Sequence, residues 1–461
     1  MSYSLSVYSN VLDSVGFAFV ENLTGAGDWS RSIRANGGPW QGTVKLTGSV
    51  GELADKFYSW LGYHVEERCS GVKTWSGLVY EMELSWAGVK RRRSLDLMAN
   101  YISVYWVDPA RVEHQTAVAS QTQSIARYGR KEEIEWLDDM TQPAAEAQRD
   151  RMLAEHAWPW ARPLSISAAG EAELTVAVCG YCFTANWRYS TVSNEFDTEV
   201  GALTYAATAF TDAGQDFSDW DTAAPGDAVH SLWVTNNDNT LTWAYIGDLN
   251  GGNTKVDTYT DQGLTVAGWN GAGVAGKTPS SYYVRGPAWR LIADIRNSDC
   301  EYLYAGHIEP NLLQVNRMLQ RDQRAWDVMM DVVDLGDTDG TPYRLYVTPE
   351  RRLMYEPIST TPKYYLQQGG VYDSVGCSTK VVPWLIQPGV FRDMSFNMAR
   401  TEEGSWLGDA RDIYVDEVEV DEDGDLTLKT ELFSEGDLLA EQAKAFKKMP
   451  ARKARGKGSG T

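Results

Sequence analysis

Cysteine and histidine are scarce, with five of each in 461 residues. His64, His114, His156, His230 and His307 lie far apart in the chain, so no local metal-binding or metalloprotease motif exists. Cys179-Gly180-Tyr181-Cys182 has the spacing of a redox or zinc half-site, but no second such pair accompanies it. Its flanks read as strand on both sides, whereas a redox pair opens a helix that lowers the thiol pKa. Cys69, Cys179, Cys182, Cys300 and Cys377 are therefore expected to be ordinary reduced thiols.

Positive charge is also in deficit: 42 Lys and Arg face 63 Asp and Glu, a net charge of −21. A surface of that sign repels phosphate backbones and anionic membranes, so the main body is not expected to coat nucleic acid. No apolar run reaches the about 18 residues that a membrane-spanning helix needs. Residues 1–17 lack the charged start and apolar block of a secretory signal, and synthesis and assembly in a cytoplasm are expected. Phosphate-loop, His-Glu-x-x-His and Gly-x-Ser-x-Gly motifs are all missing, so neither a catalytic residue nor a cofactor is expected.

Enough apolar residues are present to fold: they make up 43% of the chain, against 23% charged. The charge is unevenly spread. Between Ala440 and Thr461 seven bases, among them Lys447, Lys448, Arg452, Lys453, Arg455 and Lys457, outnumber the one acid, Glu441. This basic tail can dock on an acidic partner or remain a solvated terminus. Residues 191–285 instead hold twelve acids and three bases in a Gly-, Thr-, Ala-, Asn- and Asp-rich stretch with strand and turn signals, which reads as a β-rich insertion.

Periodicity places several elements. Ser49 is positioned to cap a helix carrying Leu53, Phe57, Trp60 and Leu61 on one stripe. Trp75 to Leu84 reads as a long strand apolar on much of both faces. The basic run Lys90 to Arg93 precedes Ser94, read as the cap of a short helix through Ala99, and Tyr101 to Val107 then reads as an edge strand. Thr141 to Ala157 is expected to be a helix started by Pro143 and stopped by Pro159. Glu171 to Tyr189 reads as one or two strands, Pro287 to Arg296 and Arg321 to Val333 as helices, and Arg344 to Val347 with Leu353 to Tyr355 as a hairpin. A last helix is expected from Asp437 to Met449. The fold class is thus α+β and β-rich, built of several β-rich units with short helices. The expected divisions are residues 1–140, a connector at 141–190, the insertion at 191–285, a second α+β unit at 286–400 and an acidic strand segment with terminal helix and basic tail at 401–461.

Three groupings invite chemistry. The acidic run Asp421 to Asp425 resembles a calcium loop, but its closing carboxylate, Glu431, falls one place late, and a solvated turn fits better. Glu81 and Glu83 share a strand face, and Asp216, Asp219 and Asp221 sit beside Trp220, an arrangement a glycosidase would need but one that an acidic chain also produces by accident. Trp220, Trp233, Trp243 and Trp269 in the insertion are candidates for non-catalytic glycan contact. All 18 Trp fall between Trp29 and Trp406; with 24 Tyr they suit a protein whose surfaces are both soluble and adhesive.

Four stretches carry a resemblance: Trp75-Ser-Gly-Leu-Val-Tyr-Glu-Met with Arg93-Ser-Leu-Asp-Leu-Met-Ala-Asn-Tyr-Ile; Ser124-Ile-Ala-Arg-Tyr-Gly with Arg149 to Pro159; Gly180 to Tyr189; and Trp326 through Asp339 with the hairpin ending at Tyr355. Together they cover about residues 30–395 outside the insertion, and they resemble structural tail proteins of tailed bacteriophages, of the tail-tip or baseplate-hub type. The resemblance implies a tail-hub-like architecture and a non-enzymatic virion component. Such a component forms a ring, often a trimer, that joins the tail tube to the host-adsorption apparatus. Its partners would be copies of itself and other tail proteins, with DNA at most in passage. The acidic insertion and the basic tail depart from the pattern. A host-glycan receptor module and, further off, a tail-associated cell-wall hydrolase are the alternatives.

Overall fold

The fold is taken from a computed structural model, which describes residues 3–9, 17–23, 29–159, 162–166, 172–190, 203–212, 231–250, 255–259, 264, 266–311, 313–316, 323–367, 370–373, 379–394 and 411–430. Trp220, Asp216, Asp219, Asp221, Cys377, the expected helix at 437–449 and all six named bases of the tail lie outside these residues.

The chain is β-rich α+β, with several separate sheets and few short helices. An eleven-stranded sheet dominates. Its path runs from Ala18–Asn22 through Tyr3–Ser9, His64–Cys69, Val72–Trp86, Ala172–Gly180, Gly38–Gly48, Trp29–Arg34 and Glu417–Val420 to Leu426–Lys429, with Val89–Ser94 and Arg162–Ile166 as a side branch. The long strand Val72–Trp86 is buried on both faces in its middle, as its composition predicts. Gly77 is required there, because a Cβ would come within 2.2 Å of the Cys179 carbonyl oxygen.

Ser49 caps the helix Val50–Ser59, its Oγ accepting the Glu52 N–H at 3.3 Å, and Leu53 and Phe57 are buried on the sheet. The helices Ala288–Asp299 and Ala325–Val333 join the same core through Ile292, Ile295 and Met329, as does the hairpin Tyr343–Val347 and Arg352–Pro357 through Leu345 and Tyr355. The insertion contributes most of an eight-stranded sheet, with its own core of Phe210, Leu232, Val234, Ile246 and Tyr282. Near the C-terminal end a four-stranded sheet, built from Tyr364–Gln367, Gly370–Tyr372, Gly389–Asp393 and Arg411–Val415, packs a third core around Phe391 and Val415.

Three expectations need correction. Lys90 to Arg93 do not precede a helix: Val89–Ser94 is a strand paired with Val72–Trp86, because Lys90 and Arg92 find Glu83 and Glu81 across the ladder. Ser94 caps only a turn, accepting the Asp96 N–H at 3.0 Å. Tyr181–Trp187 is a 3₁₀ helix instead of strand, since Tyr181, Cys182, Thr184 and Ala185 are all packed inward and tertiary burial overrides the local alternation. Tyr101–Val107 is not an edge. It is central in a second four-stranded sheet, with Glu113–Gln115 and Ala119–Ser120 on one flank and the parallel Glu132–Leu137 on the other. The helix Gln142–His156 covers this sheet with Ala145 and Met152 against Val104 and Trp106.

Candidate functional site

The tryptophans of the insertion separate onto two faces. Trp233 and Trp243 are register partners on adjacent antiparallel strands, so their side chains leave the same face of the sheet, and their rings stack at 5.0 Å with planes 9° apart. Tyr245 meets Trp243 edge-on at 5.4 Å, and Arg285, on the strand at the other flank of Trp233, places its guanidinium 4.3 Å over that ring. Trp233 is thereby bracketed by an aromatic ring and a cation. A sugar stacks on an open ring face, and this ladder leaves Trp233 none. Trp269 lies on the opposite face, against Phe210 and Tyr205, with its indole N–H donating to the Ala206 carbonyl at 3.1 Å.

The acidic pairs are engaged in the framework. Glu83 pairs with Lys90 at 2.8 Å and Glu81 with Arg92 on the neighbouring strand. The run Asp421 to Asp425 is the turn between Glu417–Val420 and Leu426–Lys429; Asp421 Oδ1 accepts the N–H groups of Asp423 and Asp425 at 3.1 and 2.8 Å, an Asx-type turn. Among the described residues no group of three or more His, Cys, Asp or Glu is arranged to hold a metal ion. Cys179 and Cys182 are free and fully inside; burial pushes the Cys182 thiol up to about 12 and Cys179 well above its usual range, which makes both poor nucleophiles at neutral pH.

A cleft of about 470 Å³ opens beside the 3₁₀ helix, lined by Tyr80, Asp96, Lys131, Glu133, His156 and Arg324 among others. Burial, the dominant cause, pulls Lys131 down to about 8. Its Nζ already donates to the carbonyls of Leu95 and Asp96, the latter at 2.6 Å, and Tyr80 donates to Asp96 Oδ1 at 2.8 Å. Arg324 is likewise engaged with the Glu132 carbonyl at 2.9 Å and Glu133 Oε2 at 3.0 Å. These polar groups tie the cleft walls together. Periodicity gives no hint of the cleft, because its walls come from six separated segments.

One exposed apolar feature is a sheet edge. Ala18–Asn22 ends the eleven-stranded sheet, with Phe19 62% and Val20 41% exposed. Natural edges are guarded by Lys, Pro or bulges. This one has neither Lys nor Pro, and its one charge, Glu21, is drawn to Lys56 on the helix Val50–Ser59. Its register with the inner neighbour slips between Val7 and Tyr8, where Glu21 and Phe19 are the successive partners, so Val20 is the extra residue and the edge strand carries a bulge. The far end of the same sheet, Leu426–Lys429, is also without an outer partner among the described strands. No helix of the described residues is long and apolar enough to cross a membrane. No protein-family model matches the chain, and a search of curated proteins finds no relative.

Proposed function

We propose that this chain is a non-enzymatic structural subunit of a bacteriophage tail, of the tail-tip or baseplate-hub type, working in the virion as a ring of copies that links the tail tube to the adsorption apparatus. The observation that carries the reading is the exposed, apolar Ala18–Asn22 edge, which has neither Lys nor Pro and only a bulge at Val20 to interrupt it, and which supports pairing with another copy of the chain or with a neighbouring tail protein. A single sheet with two ends open among the described strands favours a head-to-tail contact, and such contacts close into rings when the rotation permits. The aromatic-rich, multi-sheet build and the resemblance in the sequence point the same way.

The test has two arms. Native mass measurement of the purified protein should show a closed oligomer, and Phe19→Lys with Val20→Lys should release folded monomer, since two charges placed on the edge oppose strand addition. Peptide mapping of purified particles should find the chain in the tail. A monomeric wild type together with absence from particles sinks the proposal, whereas an oligomer absent from particles keeps the edge and removes the tail. The glycan-receptor alternative loses support from the bracketed Trp233 ring; binding of the full chain on a glycan array would restore it.

A further inference from the structure

A second cleft, of about 120 Å³, lies where three sheets meet. The end of Trp29–Arg34 and the start of Gly38–Gly48 form one wall, Arg344 to Pro349 another, and Lys363 with Gln387 and Pro388 the third. Pro39, Pro349 and Pro388 stiffen it, because their rings fix φ. Gly38 lets two walls approach: its φ is +77°, and a Cβ there would fall 2.0 Å from the Val347 carbonyl oxygen.

Three cations reach this space in a chain whose net charge is −21. Arg344 is held by Glu356, its Nε 3.1 Å from Oε1, and Tyr346 donates to the same oxygen at 3.1 Å. Arg34 lies over the Trp40 ring at 4.2 Å, with its Nε 3.3 Å from Glu417, a carboxylate that Lys429 also approaches at 3.6 Å. Lys363 forms no ion pair among the described residues; its recorded neighbour is the Tyr364 ring at 5.3 Å. Lys429 is also paired with Glu419, so three carboxylates serve four cations around the cleft, and none of the three is ion-paired with Lys363. Burial, and after it the charge of Arg344, pulls Lys363 below the usual lysine range, the signature of an ammonium partly withdrawn from water beside a like charge.

We infer that this cleft binds one small oxyanion of the phosphate class, with Lys363 supplying the uncompensated charge and Arg344 and Arg34 flanking it. Guanidinium and ammonium donors converging on a rigid, narrow cleft are suited to the several acceptor oxygens of such an anion. The inference stands apart from the tail proposal, since it rests on the seam between sheets and not on the edge.

Inorganic phosphate, sulfate and acetate are titrated into the full-length protein at ionic strength held constant with sodium chloride, and Tm and heat of binding are followed. Phosphate should raise Tm saturably where chloride does not. Lys363→Met should weaken phosphate binding by about tenfold or more, the loss of one charge-assisted contact, while Lys363→Arg retains it. Lys363 is exposed over the residue as a whole, with only its ammonium partly withdrawn into the cleft lining, so both variants are expected to fold, as near-UV circular dichroism checks. A response to phosphate no greater than to chloride overturns the inference, as does an unchanged phosphate affinity in Lys363→Met. Binding of acetate but not phosphate overturns the phosphate class.

Discussion

Glu66 and Glu67 are neighbours on the strand His64–Cys69, both buried, and their carboxyl groups titrate in opposite directions. Successive residues of a strand point to opposite faces. Glu66 shares its face with His64 and Arg68, and it is met by Arg68 Nε and Lys73 Nζ, each at 2.5 Å, and by His64 Nε2 at 3.5 Å. Burial alone would raise its pKa, but the hydrogen bonds from His64, Lys73 and Arg68 and the charge of Lys73 together outweigh burial and bring it to about 2. Glu67 shares its face with Val65 and Cys69 and has one cation, Arg31, at 2.7 Å, both side chains being 0% exposed. There burial prevails over the Arg31 charge and the Thr74 hydrogen bond, and the pKa rises. Burial is common to both; the number of cations decides the sign.

The sharpest way to break this comparison is to remove the lone cation. Arg31→Met leaves Glu67 buried and unpaired, and also removes the Arg31 donation to the Trp384 carbonyl at 2.8 Å that ties the C-terminal segment to the large sheet. A loss of about 3–5 kcal/mol is expected in urea unfolding, since one partner of a buried pair has gone. Arg31→Met combined with Glu67→Leu should recover much of it, because no charge is then stranded. A single-variant loss below about 1 kcal/mol would mean that water reaches Glu67, and the contrast with Glu66 would fail.

On the other face His64 gives the next largest effect. Its ring stacks on Phe17 at 4.1 Å, and its Nδ1 lies 2.8 Å from the Tyr181 hydroxyl. Burial, aided by the Lys73 charge and opposed by Glu66, lowers its pKa from 6.5 to about 4. The folded state therefore keeps the ring neutral where the unfolded chain takes up a proton. Stability is complete above pH 6.5 and is lost as pH falls towards about 4. The loss is on the order of 3 kcal/mol. His64→Gln should flatten the unfolding free energy over that interval. If the acid limb persists unchanged in the variant, His64 does not produce it.

Much of the framework was legible in the sequence, and the reason differs by element. The helix Val50–Ser59 and the strand Val72–Trp86 declare themselves because a cap, a 3.6-residue stripe and a two-sided apolar run are local signals. The turn at Asp421 to Asp425 was readable for the same reason. Val89–Ser94 was not, since its strand state depends on Glu81 and Glu83 across the ladder, and the interior place of Tyr101–Val107 depends on Glu132–Leu137 pairing alongside it. Trp233 and Trp243 stand out in the sequence as aromatic, but only their register shows that they cover each other. Nothing local in the sequence distinguishes Glu66 from Glu67. Arg31, on a distant strand, gives Glu67 its meaning, and the cleft at Lys363 is likewise assembled from four separated segments.

The smallest effect tests whether the Glu66 site is a shared hub. Lys73 is partly exposed, at 21%, and is one of three groups on a single carboxylate, so Lys73→Gln leaves Arg68 and His64 in place. Its cost should be below about 1 kcal/mol, the scale of an accessible ion pair. The substitution carries a signature that stability alone would miss. Lys73 lowers the pKa of His64 through its charge and lowers that of Glu66 through charge and hydrogen bond, so both should move upward when it is removed. Glu66 contributes stability above its ordinary value of 4.5 and loses it as pH falls towards about 2; in Lys73→Gln that loss should be complete at a higher pH. Histidine and carboxylate titration followed by NMR would report both shifts. A cost matching that of Arg31→Met would show that Glu66 depends on one cation just as Glu67 does, and the difference between the two faces of the strand would disappear.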